Sequence, residues 1–445
     1  MNRRDLLKTS LFGAAAAPAF VAGGRHSYAP GCDDCYVDQL ALAMPSAPRL
    51  RVTGVKTFGV TSDALPSDRP HVFVKVETDA GVVGWGEATL EGKAAAAMQA
   101  VHDLSYALMG QDPMHVEHHW QSMYVHAFYR SGPVLASAIS GIDQALWDIR
   151  GKVLERPVYE LLGGPLDDRG VRGYYHLRPV LPPDAPYREQ VAASRERAER
   201  YGVTAFKTGI PGYYEWIDTH QRIQEAIERL HVLREVMGDE IDIGVDFHAK
   251  TSPAVAVQIC REIESLNLMF VEEPCPPENV KAMKRISDRT TVPIATGERL
   301  ITHYGCREVI EGKVVDIIQT DVNHVGGISA LWKVGAMAEA SGVMMAPHAC
   351  EGPVGAVAST HVDAVMPNFL VQEICSGVEP DGKDALWEEL LGYPAMRMVE
   401  GYYPLSDKPG LGIDIDERVL AKYPFGGTKP FVLLPVHEDG SIASP

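Results

Sequence analysis

Three short apolar runs, each ending in a carboxylate, recur at a fixed interval in the middle of the chain. They are GVDFH (244–248), MFVEEP (269–274) and IATGER (294–299). The acids are Asp246, Glu272 and Glu298, each 26 residues after the one before. One strand, one returning helix and two loops occupy about that length in a parallel α/β barrel, where a helix follows every strand. The spacing therefore puts one carboxylate at the C-terminal end of each of three consecutive strands. Neighbouring strands lie about 4.8 Å apart, so the three acids can converge on a point. Clustered carboxylates repel unless a cation lies between them. An all-oxygen set without Cys or His favours Mg²⁺, ahead of Mn²⁺ or Ca²⁺. Glu273 follows Glu272 directly, and side chains alternate along a strand, so Glu272 is the member expected to face the cation.

A formal net charge of −18 over 445 residues argues against binding a phosphate backbone or an anionic membrane. A small anionic substrate stays compatible, because a bound metal locally reverses the field. The seven cysteines are scattered. Only Cys32 and Cys35 are closely spaced, and one CxxC without a second pair or a His pair is a weak metal or redox signal.

The first residues carry Arg3-Arg4 followed by Leu6-Leu7-Lys8, then an Ala-rich run and Ala17-Pro18-Ala19. This matches a twin-arginine export signal, so the chain is expected in the periplasm or outside the cell, with the cytoplasm as the alternative. The apolar run is too short for a membrane anchor. Residues 1–23 read as the signal and 24–48 as a linker. Residues 49–168 read as the first part of an α+β domain: strands up to Ala88, a turn at Asp79-Ala80-Gly81, then helices over 93–108, 116–129 and 133–154. From Val171 strands and helices alternate, with strand ends at 174–176, 206–207, 246, 272, 298, 319–321, 347–348 and 372–373. Residues 169–385 thus form the barrel, and 386–445 return to the first domain. Ser252-Pro253 is an N-cap and first-turn pair for the helix that follows. No Walker loop, GxGxxG or GxSxG is present.

With VDFHAK, FVEEP, TGER, QTDVNHVGGI and APHACEGPVG in place, the sequence from about Leu50 to its end resembles the enolase superfamily in its mandelate-racemase-like branch, nearest the sugar-acid dehydratases. The resemblance implies a (β/α)₇β barrel under a capping domain built from both chain ends. It implies Asp246, Glu272 and Glu298 as ligands of one Mg²⁺ and a sugar acid as substrate. It also implies a base pair, Asp321 and His348. These end neighbouring strands, so one hydrogen bond can join them; an Asp on one imidazole nitrogen raises the basicity of the other. On this pattern His348 takes the C2 proton. His248, two residues after Asp246, protonates the departing 3-hydroxyl. Glu373 hydrogen-bonds the enediolate, and the product is a 2-keto-3-deoxy acid.

Two departures bear on the chemistry. Racemases of this branch end the second barrel strand in Lys-x-Lys, whereas this chain has Lys207-Thr208-Gly209. The second base is missing, which weighs against racemisation. Known galactonate dehydratases carry an amide side chain where Gly209 stands. His176, Arg178 and Lys207 are expected at the substrate, and His176 could replace the missing base. Arg299 reads as a local charge partner. The alternatives are a racemase or epimerase of a 2-hydroxy acid, and an exported sugar-acid binder without turnover. No nucleic-acid or membrane partner is expected; a homo-oligomer is.

Overall fold

The computed structural model describes residues 50–442, apart from 66–68, 178–180, 183, 211–217, 375–381, 393–396, 430–435 and 437–439. The export signal, Cys32, Cys35 and Arg178 lie outside the described residues.

The chain begins with an antiparallel meander, β1 (Val52–Val60), β2 (His71–Thr78) and β3 (Val83–Glu87). The turn expected at 79–81 joins β2 to β3, with Gly81 at φ 75° and its N–H on Thr78 O. Helices follow at Ala94–Ser105, Val116–Val125 and Pro133–Leu154. The second stops short of residue 129 because Phe128 and Ser131 adopt positive φ, which a helix cannot accommodate. The helix Pro133–Leu154 is buried along most of its length. It lies so close to β3 that a Cβ on Gly86 would come within 2.0 Å of Gly141 O.

Eight parallel strands form the barrel: β4 (Val171–His176), β5 (Ala205–Gly209), β6 (Asp242–Asp246), β7 (Phe270–Glu272), β8 (Ile294–Thr296), β9 (Ile317–Ile318), β10 (Met344–Met345) and β11 (Gln372–Glu373). They pair in chain order from β4 to β10, and β11 returns to pair with β4. Met345 N–H donates to Asn368 O at 2.9 Å and Leu370 N–H to Met345 O at 2.8 Å, which closes the ring between β10 and the approach to β11. The interior is filled by Tyr174, Ala205, Phe270, Ala295, Ile317, Ala346 and Val371. Large and small side chains from different strands interlock there as in other packed barrels. Gly244 makes room for the Phe270 ring, which a Cβ would meet at 2.5 Å. This plug is the floor on which the acids stand. The N-cap at Ser252 forms as expected, its side chain accepting from Val255 N–H.

A buried polar seam joins cap to barrel. Trp120 Nε1 donates to Gly326 O at 2.7 Å, Gly326 N–H to Ser140 Oγ, and Trp147 Nε1 to Ser329 Oγ. Asp143 accepts from Ser329 N–H and Oγ at the start of the helix Gly327–Ser341, where the helix dipole favours an anion. Gln144 bonds Asn323, and Glu87 accepts from the N–H groups of Val354 and Gly355 at 3.0 and 2.9 Å. After the barrel, β12 (Tyr402–Tyr403) pairs antiparallel with β4. The chain then reaches the meander: Gly426 N–H donates to Thr61 Oγ1 and Glu417 pairs with Lys75. Both ends of the described chain therefore build the cap.

Candidate active site

A cavity of about 700 Å³ opens at the C-terminal ends of the barrel strands, below the cap. Asp246 ends β6 and Glu272 ends β7, side by side in register and both buried. Glu298 follows β8 by two residues, past Gly297 at φ 152°. A Cβ there would press on the backbone of Gln319 at 2.5 Å, so only glycine lets the chain turn Glu298 into the cavity.

Lys207 is the centre of charge. The sequence reading placed it with the substrate. In the structure its buried ammonium is occupied by carboxylates: Glu272 Oε2 at 2.7 Å, Asp246 Oδ2 at 3.1 Å and Glu373 Oε1 at 3.2 Å. Burial disfavours its charge, but Glu272 and Glu373 outweigh burial and hold the pKa well above the usual lysine value. Lys207 therefore serves first as counter-ion to the acids.

One ammonium does not balance them. Burial, then the charge of Asp246, pushes the Glu272 carboxyl well up despite Lys207. Glu272 Oε1 and Glu373 Oε2 are buried and accept no hydrogen bond from the described residues. Buried acceptors without donors are costly. Hard anionic oxygens in excess over cationic partners suit a divalent, oxygen-seeking ion. The residues present thus fit a metal held by Asp246, Glu272 and Glu298.

His348 comes from the loop after β10. Its Nδ1 lies 2.6 Å from Asp321 Oδ2, which fixes the ring, and its Nε2 faces Glu298 Oε2 at 3.4 Å and Glu373 Oε2 at 3.7 Å. Burial opposes its positive charge, but Glu373, Asp321 and Glu298 overcome it and raise the pKa well above the ordinary histidine value. The second oxygen of Asp321 accepts from Asn323 N–H at 2.6 Å, so both lone-pair faces of this acid are committed.

His248 reaches the site by a route that strand alternation did not anticipate. β6 stops at Asp246, and His248 and Ala249 take positive φ of 45° and 56°. The turn brings His248 Nε2 to 3.0 Å from Asp246 Oδ2, while its N–H donates to Asp246 Oδ1 at 2.8 Å. Burial lowers its pKa, but Asp246 more than compensates and the net direction is up. Glu273 likewise leaves the acid cluster by a turn, at φ 40°, rather than by the pleat. It pairs with Arg299, which contacts Glu298 only at 3.8 Å. The local partner of Arg299 is therefore Glu273.

His176, expected at the substrate, sits with Nε2 2.7 Å from Glu373 Oε1. Burial would raise the Glu373 pKa, but Lys207, His348 and His176 together hold it well below the usual carboxylate range. The ionised form accepts from its neighbours, with Lys207, His176 and His348 around it. Further residues line the cavity. Arg69 comes from the cap, and His324 and Glu351 from the loops after β9 and β10. The motifs QTDVNHVGGI and APHACEGPVG contained the last two, and Arg69 ends the cap loop from Val60 that the sequence points to for the choice of sugar.

Family models match on both sides of the cap–barrel boundary. Residues 59–163 match the mandelate racemase / muconate lactonizing enzyme N-terminal domain, and residues 189–419 match the enolase C-terminal domain-like model. A D-galactonate dehydratase of Ralstonia pickettii (strain 12J) is 39% identical over 374 residues, covering 84% of this chain and 96% of that protein. The crystal structure of an enolase from Pantoea ananatis with bound D-gluconate and Mg is 30% identical, with a TM-score of 0.78, over 89% of this chain and 100% of that one. A member of the enolase superfamily from Salmonella Typhimurium is 29% identical, with a TM-score of 0.77, over 84% and 98%.

Proposed function

The chain belongs to the mandelate racemase / muconate lactonizing enzyme family of the enolase superfamily, and from that premise we propose that it is a Mg²⁺-dependent dehydratase of a sugar acid. The reaction is loss of the C2 proton and of the 3-hydroxyl from an aldonate, giving a 2-keto-3-deoxy acid. The observation that carries this reading is a paired base, His348 on Asp321 at 2.6 Å, in the same cavity as Asp246 and Glu298 and beside the buried Glu272. A binding protein has no need of a base with a dedicated orienting acid. The relatives support the chemical class: one is a D-galactonate dehydratase and another holds D-gluconate and Mg.

Held by Asp246, Glu272 and Glu298, Mg²⁺ supplies Lewis-acid stabilisation of negative charge on the substrate carboxylate. His348 Nε2 takes the C2 proton, and Asp321 fixes the tautomer that leaves Nε2 free to accept it. A Lys or His base working with Mg²⁺ is the pattern of this superfamily. His248, held toward the cationic form by Asp246, gives a proton to the departing 3-hydroxyl. Glu373, flanked by Lys207, His176 and His348, lies beside the developing charge and orients the donors around it. No second base stands where racemases carry one: Lys207 is consumed by ion pairs and the next strand-facing position is Gly209.

Export through the twin-arginine route is proposed on Arg3-Arg4 and Leu6-Leu7-Lys8. The test of the dehydratase reading is a turnover screen of aldonates with a keto-acid assay, before and after chelation. Turnover of one or more aldonates, abolished by EDTA and restored by Mg²⁺, supports it. Full activity after exhaustive chelation, or no turnover of any sugar acid, overturns it.

A further inference from the structure

We propose that Arg69, Glu351 and His324 form a subsite that binds the neutral polyhydroxy tail of the substrate and selects for acids long enough to reach it. The inference rests on the dehydratase reading and deepens it. All three residues line the cavity that also holds His348, Lys207 and Glu298. Glu351 is buried, 2% exposed. Its Oε1 meets His324 Nε2 at 3.3 Å, and Ser137 Oγ of the cap lies 3.0 Å from the other ring nitrogen of that histidine. Its Oε2 faces Arg69 Nε at 3.6 Å. That gap is too long for a hydrogen bond. Both atoms are buried, and neither has a hydrogen-bond partner among the described residues.

A buried acceptor and a buried donor, each unsatisfied and facing one another across a short gap, are completed by a group that both donates and accepts. A hydroxyl does this: its O–H goes to Glu351 and its oxygen accepts from Arg69. A carboxylate does not, because it cannot donate and would confront Glu351 together with Glu91, which already pairs with Arg69. A metal ion is also a poor occupant, since the guanidinium already supplies the cation. Arg69 is held from a third direction by Cys350 O at 3.3 Å, so the donor is fixed in place before substrate arrives. One carboxylate at the metal end and hydroxyls at the other describe an aldonate rather than an aldarate.

The experiment measures kcat/KM, and Kd by calorimetry with Mg²⁺ present, for a hexonate and for a tetronate of the same C2 and C3 configuration. It uses the parent, Glu351→Gln and Arg69→Met. A hydrogen bond to a charged group corresponds to a change of about 10- to 100-fold, so the hexonate-to-tetronate ratio should fall by that order in each variant. Arg69 comes from a different element than Glu351, so the second variant keeps the test alive if the first folds poorly. Equal losses for both acids would show a merely structural role and overturn the subsite. So would a parent that handles both acids equally, or prefers the matching hexarate, and in those cases the dehydratase reading stands. A parent that neither binds nor turns over any sugar acid removes both.

Discussion

Replacing Asp321 by Asn tests the base directly. The carboxylate accepts from His348 Nδ1 through Oδ2 at 2.6 Å and from Asn323 N–H through Oδ1 at 2.6 Å. An amide has one acceptor, so it can satisfy only one of these donors; the other meets an NH₂ group. If the backbone N–H keeps the oxygen, the NH₂ faces His348 and forces the proton onto Nε2, the atom that must accept one from C2. If His348 keeps it, the ring stays oriented but loses a charged partner. A charge-assisted hydrogen bond is worth about 1.5–3 kcal/mol, and one pKa unit is about 1.4 kcal/mol. The His348 pKa should therefore fall. The sign follows from its role: a base works when neutral, so activity is lost as pH falls through its pKa. A lowered pKa moves the acid limb of the kcat/KM profile to lower pH. The plateau should drop by about 10²–10⁴-fold, the usual scale of general-base assistance. The assay is keto-acid release against pH, with NMR of C2 deuteration in D₂O beside it. A variant with the parent's plateau and an acid limb that has not moved, or has moved to higher pH, would refute the assignment of His348 as an Asp321-supported base.

The two histidines should be separable. His248→Asn should still exchange the C2 proton for deuterium while releasing little keto acid, and His348→Asn should do neither; exchange in the His348 variant alone would reverse the roles. Glu298→Gln removes one anionic ligand and should weaken Mg²⁺ binding by at least about tenfold, read by calorimetry with Mg²⁺ alone; unchanged affinity would remove Glu298 from the ligand set. Lys207→Met strips the counter-ion from three buried carboxylates and should lower stability by about 3–5 kcal/mol without metal, a loss that added Mg²⁺ should partly restore. A thermal midpoint equal to the parent's in EDTA would contradict that. Changing Arg3 and Arg4 to Lys should leave the precursor in the cytoplasm; equal periplasmic signal from both forms would rule out the twin-arginine route.

The barrel and its acids could be read from sequence because a strand–helix unit has a nearly constant length. That regularity made Asp246, Glu272 and Glu298 stand out at equal intervals, and it placed Asp321 and His348 on neighbouring strands. What escaped was set by geometry beyond the strand ends. His248 and Glu273 reach their partners through left-handed backbone at His248–Ala249 and at Glu273, and a two-residue pleat gives the right side for the wrong reason. Lys207 was legible as a cavity residue, but its role depends on which of several acids its long side chain meets. The cap loop ending at Arg69 was legible as bearing on which sugar is taken, but its contact with the Cys350–Glu351 loop was not, since that contact spans 281 residues and exists only because the cap folds over the barrel.

The seam of Glu87, Ser140, Asp143, Gln144 and Trp120 against the helix starts at 326–329 and 353–355 bears on how substrate gets in. Swinging the cap away as a hinged lid would break these buried bonds together and leave carboxylates such as Glu87 and Asp143, both with pKa raised to about 7 by burial, stripped of their donors. Breaking so many buried bonds at once is a steep climb to repeat in every turnover. The doorway must then be cut in the cap's rim, where Arg69 and residues 90–93 edge the cavity, and turnover is gated by short segments while the two bodies of the enzyme stay locked. The same locking predicts that cap and barrel melt in one transition, so that damage far from the cavity is felt there as loss of the whole enzyme rather than as a loosened mouth.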